Sequence, residues 1–155
     1  MASAAPAVHL HLGHEQRSSG SGGTHPHLHP VTQSVQADIP LAGTKEVEEA
    51  VAKAEAVREQ WRRTPPETRR NILNRLADLL EENKADLARA AALDGGTTLM
   101  VGERGVETAV GWTRYYAGWC DKLSGDLLST FDTRGELSYT VPEPIGIVGI
   151  IITWN

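Results

Sequence analysis

At 155 residues the chain is long enough for one domain with a core of its own and too short for a typical two-domain enzyme. Fifteen Lys and Arg against twenty Asp and Glu leave a net charge of −5, which argues against a nucleic-acid partner. A 40% hydrophobic and 23% charged composition excludes collagen-like and wholly disordered chains. The single cysteine, Cys120, excludes an intramolecular disulfide and a multi-cysteine zinc site, and makes a reducing, cytoplasmic setting the expectation. The first twelve residues have neither the basic start nor the long apolar core of a secretory signal. The longest apolar stretch, 145–152, falls far short of the roughly 20 residues of a membrane helix, so no membrane partner is expected.

All six histidines lie within the first 29 residues, around the loose run Ser18-Ser19-Gly20-Ser21-Gly22-Gly23. This segment is turn-rich and lacks helical periodicity, so residues 1–28 are expected to form a flexible arm and 29–155 the folded part. Two spacings, His9-x-His11-x-x-His14 and His25-x-His27-x-His29, carry imidazoles that suit zinc, copper or nickel. Neither a cysteine nor a carboxylate cluster completes them, so adventitious binding is expected rather than a dedicated metal site. Between His29 and Pro40 the alternation of Val31, Val35, Ala37 and Ile39 fits a short strand.

Helical spacing begins at Thr44. Val47, Ala50, Val51, Ala54, Val57 and Trp61 fall on one face, with Thr44 as N-cap and Glu46, Glu48 and Glu49 near the positive end of the dipole. Pro65 and Pro66 stop this helix, and Thr64-Pro65-Pro66-Glu67 starts the next, whose core face is Ile72, Leu73, Leu76, Leu79 and Leu80. Asn83 is the expected cap of a third helix with Leu87, Ala90, Ala91 and Leu93 inward, ended by Asp94-Gly95-Gly96. A fourth is expected over 103–123, carrying Val106, Val110, Trp112, Tyr116 and Trp119. Together they predict an antiparallel helical layer.

After Gly125 the pattern turns to β. Residues 137–141 read as a strand between Gly135 and Pro142. Residues 147–152 form an unbroken β-branched run with one glycine, the pattern of a strand buried on both faces of a mainly parallel sheet. Such a strand needs neighbours and covering helices, which predicts the front part of a larger fold or a chain that borrows strands from another molecule. The plainer alternative makes it the last strand of a small α+β domain, covered on one face by the helices.

Four stretches carry a resemblance. Residues 139–155, YTVPEPIGIVGIIITWN, resemble the aldehyde dehydrogenase segment Y-T-x-x-E-P-x-G-V-x-x-x-I-x-P-W-N. Residues 115–125, YYAGWCDKLSG, resemble that family's Y-Y-A-G-W-A-D-K-x-x-G. Leu93-Asp94-Gly95-Gly96 resembles its L-D-x-G helix ending, and His29-Pro30-Val31-Thr32 its N-P-A-T turn. Three positions depart from the pattern: Thr153 replaces a usual proline, Gln33 a usual glycine, and His29 a usual asparagine.

The resemblance implies an α/β fold: the N-terminal part of a Rossmann-type cofactor domain, with a helical layer, an oligomerisation strand and a first parallel strand. It implies NAD or NADP as cofactor, a small-molecule aldehyde as substrate and a homo-oligomer when complete. In the family a cysteine thiolate attacks the aldehyde, hydride passes to the cofactor, and a glutamate activates water to release the acid. That cysteine and glutamate lie downstream of W-N, beyond this sequence, so the 155 residues alone are expected to be inactive. Asn155 matches the asparagine whose amide donates to the thiohemiacetal oxyanion, a task suited to a neutral group that does not titrate. Ile151, Ile152, Thr153 and Trp154 match the strand end lining the dinucleotide site, in keeping with ligand placement beyond the carboxyl ends of strands in open α/β sheets.

Without the resemblance, Trp154 and Asn155 read as a strand-end aromatic and a turn former. Cys120 stands where the family has alanine, with no histidine near it in sequence, and is expected to be structural rather than nucleophilic. No G-x-G-x-x-G loop follows a strand, since Gly146 and Gly149 lie before and inside the last run. Two rival readings remain: a non-catalytic interaction module that pairs with an intact dehydrogenase subunit, and a histidine-rich metal-binding protein.

Overall fold

The computed structural model describes residues 7–130 and 135–152. Two antiparallel hairpins come first: β1 (Leu10–Leu12) with β2 (Glu15–Arg17), and β3 (Thr24–Leu28) with β4 (Val35–Pro40). The short strand expected between His29 and Pro40 is β4. The preceding segment, expected to be a flexible arm, carries three strands from Leu10 onward. Its order comes from contacts distant in sequence, which local periodicity does not reveal. Leu12 is buried, and Gly22 N and Leu41 N pair with Leu41 O and Gly23 O across the Ser/Gly run.

Charge ties the first hairpin to α1 (Thr44–Arg63). The Arg17 guanidinium donates to both Glu49 oxygens, at 2.8 and 2.6 Å, and to Glu15 at 2.6 Å. The Lys53 ammonium donates to Leu12 O at 3.1 Å and to Glu15 at 2.8 Å, and pairs with Glu49 at 3.0 Å. Arg17 and then Lys53 hold the Glu49 carboxyl at about 2, against an ordinary 4.5. The Ser21 hydroxyl and then the Gly43 amide hold buried Glu46 at about 2. Because both carboxyls are depressed in the folded state, their stabilisation is complete above about pH 4.5 and is lost as pH falls toward about 2. Acid titration followed by circular dichroism should therefore show the hairpin leaving α1 across that window. Arg17→Met should move the transition to higher pH, and an unchanged acid profile would contradict the ionic anchor.

The helix boundaries shift slightly from expectation. Gly43, not Thr44, is the N-cap of α1, and the Glu46 carboxylate accepts from its amide at 2.8 Å. Pro65 caps α2 (Pro66–Glu82), and Thr64 instead donates its hydroxyl to Gln60 O at 3.0 Å. Asn83 stands at the N-cap of α3 (Lys84–Gly95), but its amide serves the previous helix, donating to Leu79 O at 2.8 Å. Helix α4 (Leu99–Ala117) begins four residues before Glu103, because Thr98 Oγ1 accepts from Val101 N. It ends at Ala117, and turns replace the expected helix through Leu123.

Helix α4 packs on both α2 and α3, and the buried residues there are small: Ala77, Ala88, Gly102, Val106 and Ala117. A Cβ on Gly102 would meet Ala88 O at 2.5 Å and Ala88 Cα at 3.0 Å, both rigid backbone. Gly102→Val should force α3 and α4 apart and lower stability by about 2 kcal/mol, the middle of the overpacking range. A thermal midpoint unchanged from wild type would show that the crossing yields.

The large apolar residues expected in the core are less buried than predicted. Ile72, Leu76 and Leu79 are 48%, 45% and 40% exposed, and Val47, Val51, Val57 and Trp61 of α1 are about as open. Each helix has more apolar width than its helical neighbours cover, so the small-residue seam closes while the outer apolar faces stay uncovered.

The C-terminal part holds a third ribbon, β5 (Leu127–Leu128) with β6 (Ser138–Tyr139). The strand expected over 137–141 is therefore two residues long. The expected first parallel strand over 147–152 is not formed among the described residues: Ile147 is 40% exposed, and Ile151 and Ile152 are 96% and 81% exposed. A strand buried on both faces requires a hydrogen-bonded neighbour, and the described strands pair only within their own ribbons. No described helix is long and apolar enough to cross a membrane.

Candidate functional site

The four sequence stretches singled out above meet in two pairs. At one end of α3, Gly96 takes φ +65°, and a Cβ there would lie 2.6 Å from Pro30 Cγ. The helix-ending Leu93-Asp94-Gly95-Gly96 thus packs on the His29-Pro30-Val31-Thr32 turn. Gln36 Nε2 donates to Leu93 O at 3.2 Å, and His27 Nε2 lies 2.7 Å from Asp94 Oδ1.

The second pair joins Gly125, which closes the aromatic-rich stretch, to Thr140, which opens the Glu143-Pro144 stretch. A Cβ on Gly125 would fall 1.6 Å from Thr140 O, so only glycine permits this approach. Thr140 N donates to Asp126 O at 2.9 Å, and Asp126 N donates to Thr140 Oγ1 at 2.8 Å. Within the aromatic stretch, Asp121 pairs with Arg70 of α2 at 2.6 Å. A hydrogen bond from Lys122, then the Lys122 charge and after it that of Arg70, lowers the Asp121 carboxyl. The α4 terminus is thereby fastened to α2 as the chain turns toward 139–152.

Beside this junction lies a cleft of about 1060 Å³, bordered by Arg62, Arg69, Tyr116, Trp119, Cys120 and Glu143 among others. Sequence spacing did not reveal it, because its walls run from Arg62 to Pro144, far apart in the chain; the crowded aromatics at 112–119 were the available sign. Trp112 stacks on Tyr116 at 5.9 Å, and Tyr115 meets Trp119 at 6.3 Å. The Cys120 thiol is half-buried and donates to Tyr116 O at 3.7 Å. Among the described residues no histidine lines the cleft, so no imidazole stands beside that sulfur as a base.

Ile151 and Ile152 stand open to solvent, while Thr153, Trp154 and Asn155 lie outside the described residues. Among the described residues, no group of three or more His, Cys, Asp or Glu is placed to hold a metal ion.

Residues 17–155 match the Aldehyde dehydrogenase family. An aldehyde dehydrogenase of Davidiella tassiana is 37% identical over 147 residues, 94% of this chain and 29% of that protein. One from Aspergillus niger is 40% identical over 136 residues, 86% of this chain and 27% of that protein. Among solved structures, an NAD+ complex of aldehyde dehydrogenase from Bacillus cereus superposes with a TM-score of 0.77 at 29% identity, covering 86% of this chain and 28% of that one. The chain belongs to the aldehyde dehydrogenase family, and it spans less than a third of the length of these relatives. The described fold is the mixed α/β arrangement of such neighbours, with the helical layer and ribbon in place.

Proposed function

We propose that this chain is the N-terminal part of the cofactor domain of an NAD(P)-dependent aldehyde dehydrogenase, acting on a small-molecule aldehyde through a cysteine thiohemiacetal. The observation that carries the reading is the Gly125–Thr140 junction, which joins two of the stretches that resemble the family and leads into Glu143-Pro144. NAD or NADP, when bound, supplies the hydride acceptor. The part of this chain is to provide one wall of its site from Ile151, Ile152, Thr153 and Trp154, and an amide donor from Asn155. Cys120 is given no nucleophilic role, because no histidine lines its cleft among the described residues. Homo-oligomerisation through the ribbon and a cytoplasmic location complete the proposal; the second follows from the lone cysteine.

The test is a graft. Residues 1–155 replace the matching segment of the Davidiella tassiana relative, and aldehyde-dependent reduction of NAD+ or NADP+ is followed by absorbance. The graft is expected to be active and the 155 residues alone inactive. A folded but inactive graft would overturn the reading, as would activity of the chain by itself. The exposed apolar run 145–152 favours one alternative, a non-catalytic module that pairs with an intact subunit. Co-purification of the chain with a full-length dehydrogenase, together with an inactive graft, would select it.

A further inference from the structure

Three arginines stand where α1 gives way to α2, and two of them are answered within the chain. Arg62 donates to both Glu59 oxygens, at 2.9 and 3.2 Å, and the Glu143 charge also acts on it. Arg70 pairs with Asp121 at 2.6 Å. The third, Arg69, is half-buried and lines the cleft of about 1060 Å³. Among the described residues its guanidinium makes no ion pair and donates no hydrogen bond. A guanidinium carries five N–H donors in a rigid fork that matches the two oxygens of a carboxylate.

Another wall of the cleft is aromatic. Trp112 stacks on Tyr116 with 21° between the ring planes, Tyr115 meets Tyr116 edge-on at 5.3 Å, and Trp119 lies 6.3 Å from Tyr115. Tyr116 and Trp119 line the cleft and stay about half exposed, so ring surface is open there to a further ring. We propose that this cleft binds a flat aromatic ring bearing a single carboxylate, the ring against Tyr116 and Trp119 and the carboxylate on the Arg69 guanidinium. Charge narrows the occupant to that class. Of the four ionic side chains lining the cleft among the described residues, Arg62 and Asp121 are already paired, which leaves one positive group, Arg69, and one negative edge, Glu143. A monoanion satisfies Arg69. A doubly charged phosphate would be repelled by Glu143, and a neutral ring would leave the guanidinium unanswered.

Cys120 lines the same cleft and is the chain's single thiol, so its reactivity reports on occupancy. The test is the rate at which iodoacetamide, small and neutral, alkylates Cys120 in the full chain at fixed pH, with and without 2-naphthoate. A ligand of about a dozen non-hydrogen atoms binds in the millimolar range at ordinary ligand efficiency, so several millimolar 2-naphthoate should slow alkylation about three- to tenfold. The neutral 2-naphthalenemethanol, which cannot engage Arg69, should leave the rate within about twofold of the free chain. Arg69→Met should reduce the naphthoate effect to that of the alcohol while the rate without ligand stays near wild type. No protection by naphthoate, equal protection by the alcohol, or full protection in Arg69→Met would overturn the site. If Arg69→Met does not fold, the comparison of acid with alcohol on the wild type decides. The assay requires neither turnover nor nucleotide, so its outcome is independent of the catalytic reading.

Discussion

Replacing Gly125 by valine is expected to detach the β5–β6 ribbon from the helical layer. The Cβ alone would overlap Thr140 O at 1.6 Å, far inside any contact distance, and the obstacle is backbone rather than a movable side chain. Absorbing such an overlap in place would cost about 3 kcal/mol or more. Among the described residues the ribbon is held by two residue pairs and by the hydrogen bonds between Asp126 and Thr140, so undocking is the cheaper response. Hydrogen exchange at Thr140 should rise to the level of an unstructured amide, while the thermal midpoint of the four helices stays near that of wild type. Retained protection at Thr140 would mean that the junction can spread. This local outcome contrasts with Gly102→Val, which acts in the seam between α3 and α4 and should lower the stability of the layer itself.

Asn155→Ala in the grafted enzyme is expected to lower kcat by about 10²–10³, the usual effect of removing one oxyanion donor. The reasoning is chemical: a neutral amide stabilises negative charge that develops after attack and contributes little before it. KM should therefore change much less than kcat. Asn155→Asp should be at least as damaging, since a carboxylate would repel the oxyanion. A variant with near-wild-type kcat would remove Asn155 from the catalytic machinery and leave it a turn residue. The graft is the setting for this measurement, because the 155 residues alone are expected to be inactive.

Much of the fold was legible locally. The period of Val47, Val51, Val57 and Trp61 placed α1, paired prolines set the start of α2, and Gly96 ended α3, each through backbone chemistry confined to a few residues. The first hairpin was not legible, because its order depends on Arg17 reaching Glu49 and Lys53 reaching Glu15 across 32 and 38 positions. The early start of α4 was a missed cap: Thr98 carries the signal, but Thr97-Thr98 offered no periodic apolar run to draw attention to it. For the site, the resemblance pointed to 151–155 by position alone, and the described chain leaves Ile151 and Ile152 open.

By itself, the sequence determined the kind of chain this is: four amphipathic helices, a β-patterned end, a single thiol and four stretches resembling an aldehyde dehydrogenase in order. Helix periods, caps and breakers act within a few residues and can be read without a partner. The tertiary structure alone decided which apolar faces close. It also showed why Gly125 and Gly96 sit where they do, and that the Ile-rich run forms no strand among the described residues. Burial and strand pairing are properties of two surfaces in contact, and one surface read along the chain does not specify the other.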